Sequence, residues 1–86
     1  MASYSVIVKA SVEKDLRGLP KPVIKRVHSW FTSLQTNPFP EGAVKLVGSQ
    51  NRYRIRVGDY RIVYGVDQDA KQVTIHYVRH RRDVYR

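Results

Sequence analysis

Residues 51–64 read NRYRIRVGDYRIVY, and alternation, turn chemistry and charge agree there. Tyr53, Ile55 and Val57 alternate with Arg52, Arg54 and Arg56, the period of two required of a strand with one buried face. Gly58-Asp59 supplies a two-residue hairpin turn, because Gly accepts positive φ freely and Asp tolerates it, and the return strand runs from Tyr60 to Tyr64. So short a turn fixes the register. Val57 must face Tyr60 and Ile55 must face Ile62. Arg56 must then lie opposite Arg61 on the non-core face, with side-chain bases roughly 5 Å apart. Like charges so placed repel, and the pair makes sense if an anionic ligand bridges it. This face is the candidate site.

Eighty-six residues make one domain, expected to span 1–86. At that size only about 60% of the unfolded chain's surface is buried, leaving room for one sheet and one helical layer. A formal charge of +9 implies an anionic partner, nucleic acid first. The absence of cysteine excludes a disulfide framework and a thiolate metal site. Three dispersed histidines give no metal-ligand spacing, so neither a metal nor another cofactor is expected. No run of 18 apolar residues occurs and the N-terminus lacks an apolar leader, so a soluble, cytoplasmic protein without membrane contact is expected.

Outward from the hairpin, YSVIVK from Tyr4 to Lys9 is short and β-branched, as a first strand should be. Ser11 is a good N-cap, and Val12, Leu16 and Leu19 recur at helical spacing until Gly18-Leu19-Pro20 breaks the pattern. Pro22 can open a second helix as its first residue. Val23, Ile24, Val27, Trp30, Phe31 and Leu34 then follow a 3.6-residue repeat that Asn37-Pro38 ends. Trp30, Phe31 and Tyr53 read as core. The segment 38–51, with two prolines and two glycines, is a long loop with at most a short extended piece at Val44 to Val47. Asp67-Gln68-Asp69-Ala70 is a polar turn cluster and QVTIHYV from Gln72 to Val78 a last strand. Keeping Val73, Ile75 and Tyr77 on the core face requires a four-residue turn that sets His76 opposite Arg61. The final RHRRDVYR, from Arg79, is a basic tail. The expected fold is α+β, in the order βααβββ: an antiparallel sheet with a two-helix hairpin on one face.

A single arginine on a strand is ordinarily a solvated residue, but the group has a bias. Lysine would solubilise equally well, yet from Arg52 onward arginines far outnumber the lone Lys71, and the planar guanidinium fork suits phosphate. His76 and His80 are candidate acid–base groups or simple surface residues. Tyr85 either stacks on a base or packs the tail onto the sheet.

YRIRVGDYRIVY followed by VRHRRDVY resembles the RelE branch of the RelE/ParE toxins of type II toxin–antitoxin systems. Tyr4-Ser5-Val6, Lys14-Asp15-Leu16, Asn37-Pro38 and Lys45-Leu46 fall in the family's order, so the likeness spans nearly the whole chain. The resemblance implies a ribosome-dependent endoribonuclease that cleaves mRNA in the decoding site and is silenced by a cognate antitoxin. Carried over by position, the catalytic set is Arg54, Arg56, Arg61, Arg81 and Tyr85; Arg52, His76, Arg79, His80 and Arg82, on the same basic face and tail, are expected as RNA contacts. The best-known member of the branch has lysines where Arg54 and Arg56 stand. Lysine can lose its proton and arginine effectively cannot, so a general-base role does not transfer.

The expected chemistry is metal-free attack of a ribose 2′-hydroxyl on the adjacent phosphate, with arginines stabilising the developing charge. The expected partners are ribosome-bound mRNA and an antitoxin with an acidic, flexible segment. The toxin is expected to be monomeric when free and hetero-oligomeric with the antitoxin. Two alternatives share these residues: a ParE-like inhibitor of DNA gyrase, and an RNA-binding module without chemistry.

Overall fold

In the computed structural model, which describes residues 3–84, the central hairpin takes the register its turn dictates. β3 (Arg52–Val57) runs antiparallel to β4 (Tyr60–Asp67), with Val57 opposite Tyr60, Ile55 opposite Ile62 and Arg56 opposite Arg61. Gly58 alone turns to positive φ, at 60°, while Asp59 does not, the combination a type II′ turn uses.

The apolar side of this hairpin is the core side. Ile55, Val57, Ile62, Tyr64 and Val66 are buried there against Val12, Leu16, Val27, Phe31 and Leu34 of the helices, with Trp30 and Tyr53 half-buried at the margin. Each buried aliphatic side chain contributes about 1.5–3 kcal/mol relative to exposure. Leu34, wholly buried, is where a charge would break the helix–sheet contact.

The helices form where the apolar repeat puts them, with shifted ends. α1 (Ala10–Arg17) starts directly after the first strand, capped by extended Lys9 rather than Ser11. The Lys9 carbonyl takes the amides of Val12 and Glu13 at 2.9 and 3.3 Å, so Ser11 falls inside the first turn. α2 (Lys21–Thr36) carries Pro22 at its second position and ends at extended Asn37. The Asn37 Oδ1 then accepts the Phe39 amide at 3.0 Å, which turns the chain away. No helix among the described residues is long and apolar enough to cross a membrane.

The sheet has five strands in the order β1-β5-β4-β3-β2, where β1 is Ser5–Val8, β2 Val44–Lys45 and β5 Gln72–His80. It is mixed rather than wholly antiparallel, since β1 pairs parallel with β5. Alternation reveals a strand and its buried face but not its direction, which the α1–α2 hairpin sets by where it returns the chain. β2 occupies part of the extended piece expected at Val44 to Val47 and pairs with β3. The rest of its loop is pinned from inside: the Tyr64 hydroxyl donates to the Pro38 carbonyl at 2.9 Å, and Phe39, Tyr53 and Tyr64 form a run of ring contacts. Burial, and then Tyr53, push the Tyr64 phenol far above its ordinary pKa.

The β4–β5 connection corrects the expected register. The turn has four residues but lies at 68–71, one position later than expected. Asp67 closes the strand pair opposite Gln72, Asp67 Oδ1 accepts the Ala70 amide at 3.0 Å, and Lys71 takes φ 54°. That Asx-type bond holds Asp67 in the ladder. A β-bulge opposite Val63/Tyr64 then moves the pairing again. His76 is therefore not opposite Arg61; Arg79 is. Tyr77 leaves the core face and Val78 replaces it there. The tail departs from expectation as well: α3 (Arg81–Val84) is one helical turn, tied to the central hairpin by the Arg81 amide on the Asp59 carbonyl at 2.7 Å.

Candidate nucleic-acid interface

The sheet face turned away from the helices carries side chains in rows, because antiparallel partners point the same way. The first row is Arg56, Arg61 and Arg79, one from each of three neighbouring strands. The second is Arg54, Val63 and Tyr77, and the third Arg52, Gly65 and Thr74. Arg61 has a cation on both sides and is only 9% exposed, so its interactions are screened less than those of a surface arginine. Arg56 folds back over the turn, its Nε donating to the Gly58 carbonyl at 3.2 Å. The Arg79 guanidinium lies 4.5 Å from the centre of the Tyr77 ring, a cation–π contact that orients it. Three guanidinium groups in one row can hold a phosphate and neutralise charge that develops on it.

His76 occupies the bulge, two residues before Val78 returns to the core. Its imidazole lies against Gly65, so close that a Cβ there would meet Nε2 at 2.9 Å. Burial lowers its pKa, and Arg52 and then Lys9 lower it further. His80 takes the other face: it pairs with Tyr60, their rings edge to face at 5.3 Å, and its Nδ1 accepts the Arg82 amide at 3.3 Å. Arg81 and Arg82 are exposed at the start of the tail. Tyr85 lies outside the described residues.

The structure thus brings Arg52, Arg54, Arg56, Arg61, Arg79 and His76 to one face, sets His80 across the sheet, and places Arg81 and Arg82 at the hairpin's tip. It also adds a member that the sequence reading missed. Tyr77 joins the face through the bulge, which alternation cannot signal, and the same bulge sets Arg79, expected in the basic tail, in the row of Arg61. Gly65 had a signal, since glycine inside a strand often marks a close approach.

Comparison with known proteins gives the arrangement a family. A family model described as the ParE toxin of the type II toxin–antitoxin system, parDE, matches residues 6–85. The chain is 31% identical over 86 residues to a putative toxin RelE1 of Methanocaldococcus jannaschii, covering 96% of both chains. It is 31% identical over 84 residues to a toxin RelE of Mycobacterium tuberculosis, covering 96% of this chain and 87% of that one. Among solved structures, the archaeal RelE–RelB complex from Pyrococcus horikoshii superposes with a TM-score of 0.83 at 32% identity, over 92% of this chain and 96% of its counterpart. The chain therefore belongs to the RelE/ParE superfamily of type II toxins, on its RelE-like branch.

Proposed function

We propose that the chain is a ribosome-dependent endoribonuclease that cleaves mRNA in the decoding site and so stops translation. The observation that carries this reading is the row of Arg56, Arg61 and Arg79, with the middle arginine nearly buried. A site built only to attract RNA would leave such a group in water; one that must stabilise a transient charge has reason to shield it. In the reaction, the 2′-oxygen bonds to the adjacent phosphorus as the bond to the 5′-oxygen breaks. The products are a 2′,3′-cyclic phosphate and a 5′-hydroxyl, the proton of the 2′-hydroxyl ending on the leaving oxygen. Arg56, Arg61 and Arg79 would hold the phosphate oxygens and Arg54 and Arg81 would flank them, with Arg82 on the backbone beyond. None of these can accept a proton at neutral pH. Of the candidates for that transfer, Tyr85, His76 and His80, neither histidine stands in the arginine row: His76 lies in the bulge beyond the second row and His80 across the sheet, which leaves Tyr85.

The partner that silences the toxin is proposed to be an antitoxin with a short acidic segment, a reading supported by similarity to a solved RelE–RelB complex. A flexible polyanion can neutralise Arg54, Arg56, Arg61 and Arg81 together, in competition with RNA.

The test is mapping of mRNA 5′ ends by primer extension on translating ribosomes with purified protein, beside a gyrase supercoiling assay. New 5′ ends within decoded codons, with supercoiling unaffected, are expected. Inhibited supercoiling without cleavage would assign the chain the gyrase-directed role that the ParE name of the matched family suggests.

A further inference from the structure

We propose that Lys9, Arg52 and His76 form a second phosphate subsite on the same sheet face, beside Gly65, and that His76 takes up a proton when the phosphate binds. That the phosphate belongs to RNA rests on the nuclease function proposed above; the subsite itself rests on placement.

Arg52 stands opposite Gly65, and the imidazole of His76 lies on that glycine from the other side. Lys9 follows β1, whose Val8 is in register with Ile75, so it comes alongside His76. Arg52 and His76 therefore stand on either side of a position without a side chain, and Lys9, just past the end of β1, stands beside His76. The missing side chain is what lets the imidazole lie close against β4, its Nε2 2.9 Å and the Asn51 carbonyl oxygen 3.6 Å from where a Cβ would stand, so that a phosphate arriving from solvent meets Arg52 and His76 together. The bulge is what re-aims His76 to this spot, a use to which bulges beside functional sites are put.

The charges around His76 are uniform in sign. Arg52 faces it from β3 and Lys9 from the end of β1, while β4 offers only Gly65. Asp67, one row further along β4, directs Oδ1 to the Ala70 amide, and Lys71 reaches the Tyr4 ring on the opposite face. Burial, Arg52 and Lys9 all oppose protonation of the imidazole in the free protein. An entering phosphate would reverse that balance and make His76 a third cationic donor. Four residues of strand separate Arg52 from Arg56, about 13 Å, on the order of two nucleotides of an unstacked single strand. The subsite would hold the phosphate two steps from the one that reacts.

The test uses the intact wild-type protein and short 2′-O-methyl RNA oligonucleotides, which bind but cannot be cleaved by 2′-hydroxyl attack. The His76 imidazole is followed by NMR across pH 5 to 8, free and saturated with a dinucleotide or a tetranucleotide. Its titration midpoint should rise with the tetranucleotide and stay put with the dinucleotide, whose one phosphate fills the arginine row. Affinity for the tetranucleotide should strengthen as pH falls, and His76→Gln should abolish that dependence. Arg52→Gln should lower the slope of log Kd against log salt by about 0.7. Gly65→Ala should weaken the tetranucleotide several-fold by displacing the ring while sparing the dinucleotide. An unmoved His76 midpoint, or an unchanged pH dependence in His76→Gln, overturns the subsite even if the protein cleaves mRNA. A His76 response in a protein that cleaves nothing on ribosomes would retain the subsite and reject the nuclease.

Discussion

The two ends of the open sheet face carry similar charge by different chemistry. At the hairpin end, Arg56, Arg61 and Arg79 have fixed charge at any working pH. At the far end, burial and then Arg52 and Lys9 hold the His76 imidazole below its ordinary pKa. Fixed charge with a shielded centre suits a step in which charge appears briefly and must be met at once. A titratable cluster suits binding, where affinity can follow the ligand's arrival. If the function and the subsite proposed above hold, the difference separates a reactive end from a gripping end of one sheet face, and the effects of mutation should divide along it.

The largest effect is expected at the reactive end. Arg61→Ala should lower the rate of ribosome-dependent mRNA cleavage about a hundredfold or more, the usual scale for losing one transition-state charge contact. Circular dichroism should show the fold retained. Wild-type cleavage by the folded variant would remove Arg61 from the site. Arg61→Lys should recover only part of the rate, because it restores the charge without the fork.

Next in size is the response to an acidic antitoxin segment. In stopped flow at low salt, Arg56→Glu, Arg61→Glu and Arg81→Glu together should slow association at least tenfold and flatten its salt dependence, since long-range attraction sets the on-rate. Identical on-rates and affinities would show that the antitoxin docks away from this face. The reversed pair Arg52→Glu and Lys9→Glu should slow association less, having fewer like-charged neighbours behind it.

A smaller effect concerns stability. Arg56 faces Arg61 directly, and like charges opposite each other in a sheet destabilise by roughly 0.2–1 kcal/mol. Arg56 is exposed, so screening keeps the effect near the low end. Arg56→Gln should therefore raise the urea midpoint slightly at low salt, and 1 M salt should erase the gain. A loss of stability at both salts would mean that the Arg56 bond to the Gly58 carbonyl outweighs the repulsion.

The same division marks what the amino-acid pattern made legible. The reactive end hangs on a two-residue turn whose chemistry permits one register, so Arg56 opposite Arg61 followed from Gly58-Asp59 alone. The far end hangs on a four-residue polar turn, where Asp67 can end a strand or start the turn. The side-chain bond from Asp67 to the Ala70 amide decides between them, and that bond has no signature in alternation. The bulge adds one more residue, which exchanges Tyr77 for Val78 in the core. Both are hydrophobic enough to fill either face, so the pattern tolerates both registers. Which elements exist and which faces they bury was readable, because period and breaker residues encode it. The direction of β1, the helical turn at Arg81 and the grouping of Lys9 with His76 depend on contacts between segments distant in sequence.

The smallest effect is also the most direct probe of the gripping end in the free protein. The folded state holds His76 below its ordinary pKa of 6.5 through burial, Arg52 and Lys9, so between the folded and unfolded pKa values the unfolded chain binds more protons. Stability then rises with pH across that window: the contribution is complete above the unfolded pKa and is lost as pH falls through the folded one. One group can give a slope no steeper than about 1.4 kcal/mol per pH unit, and partial exposure of the ring keeps it well under that limit. Denaturant titrations from pH 7.5 to 5 should show wild type losing more stability than His76→Gln. Arg52→Gln should lie between them, because it removes one of the two opposing charges and leaves the burial. Parallel curves for all three would mean that the imidazole titrates as it does in the unfolded chain, and the contrast between the two ends of the face would then rest on geometry alone.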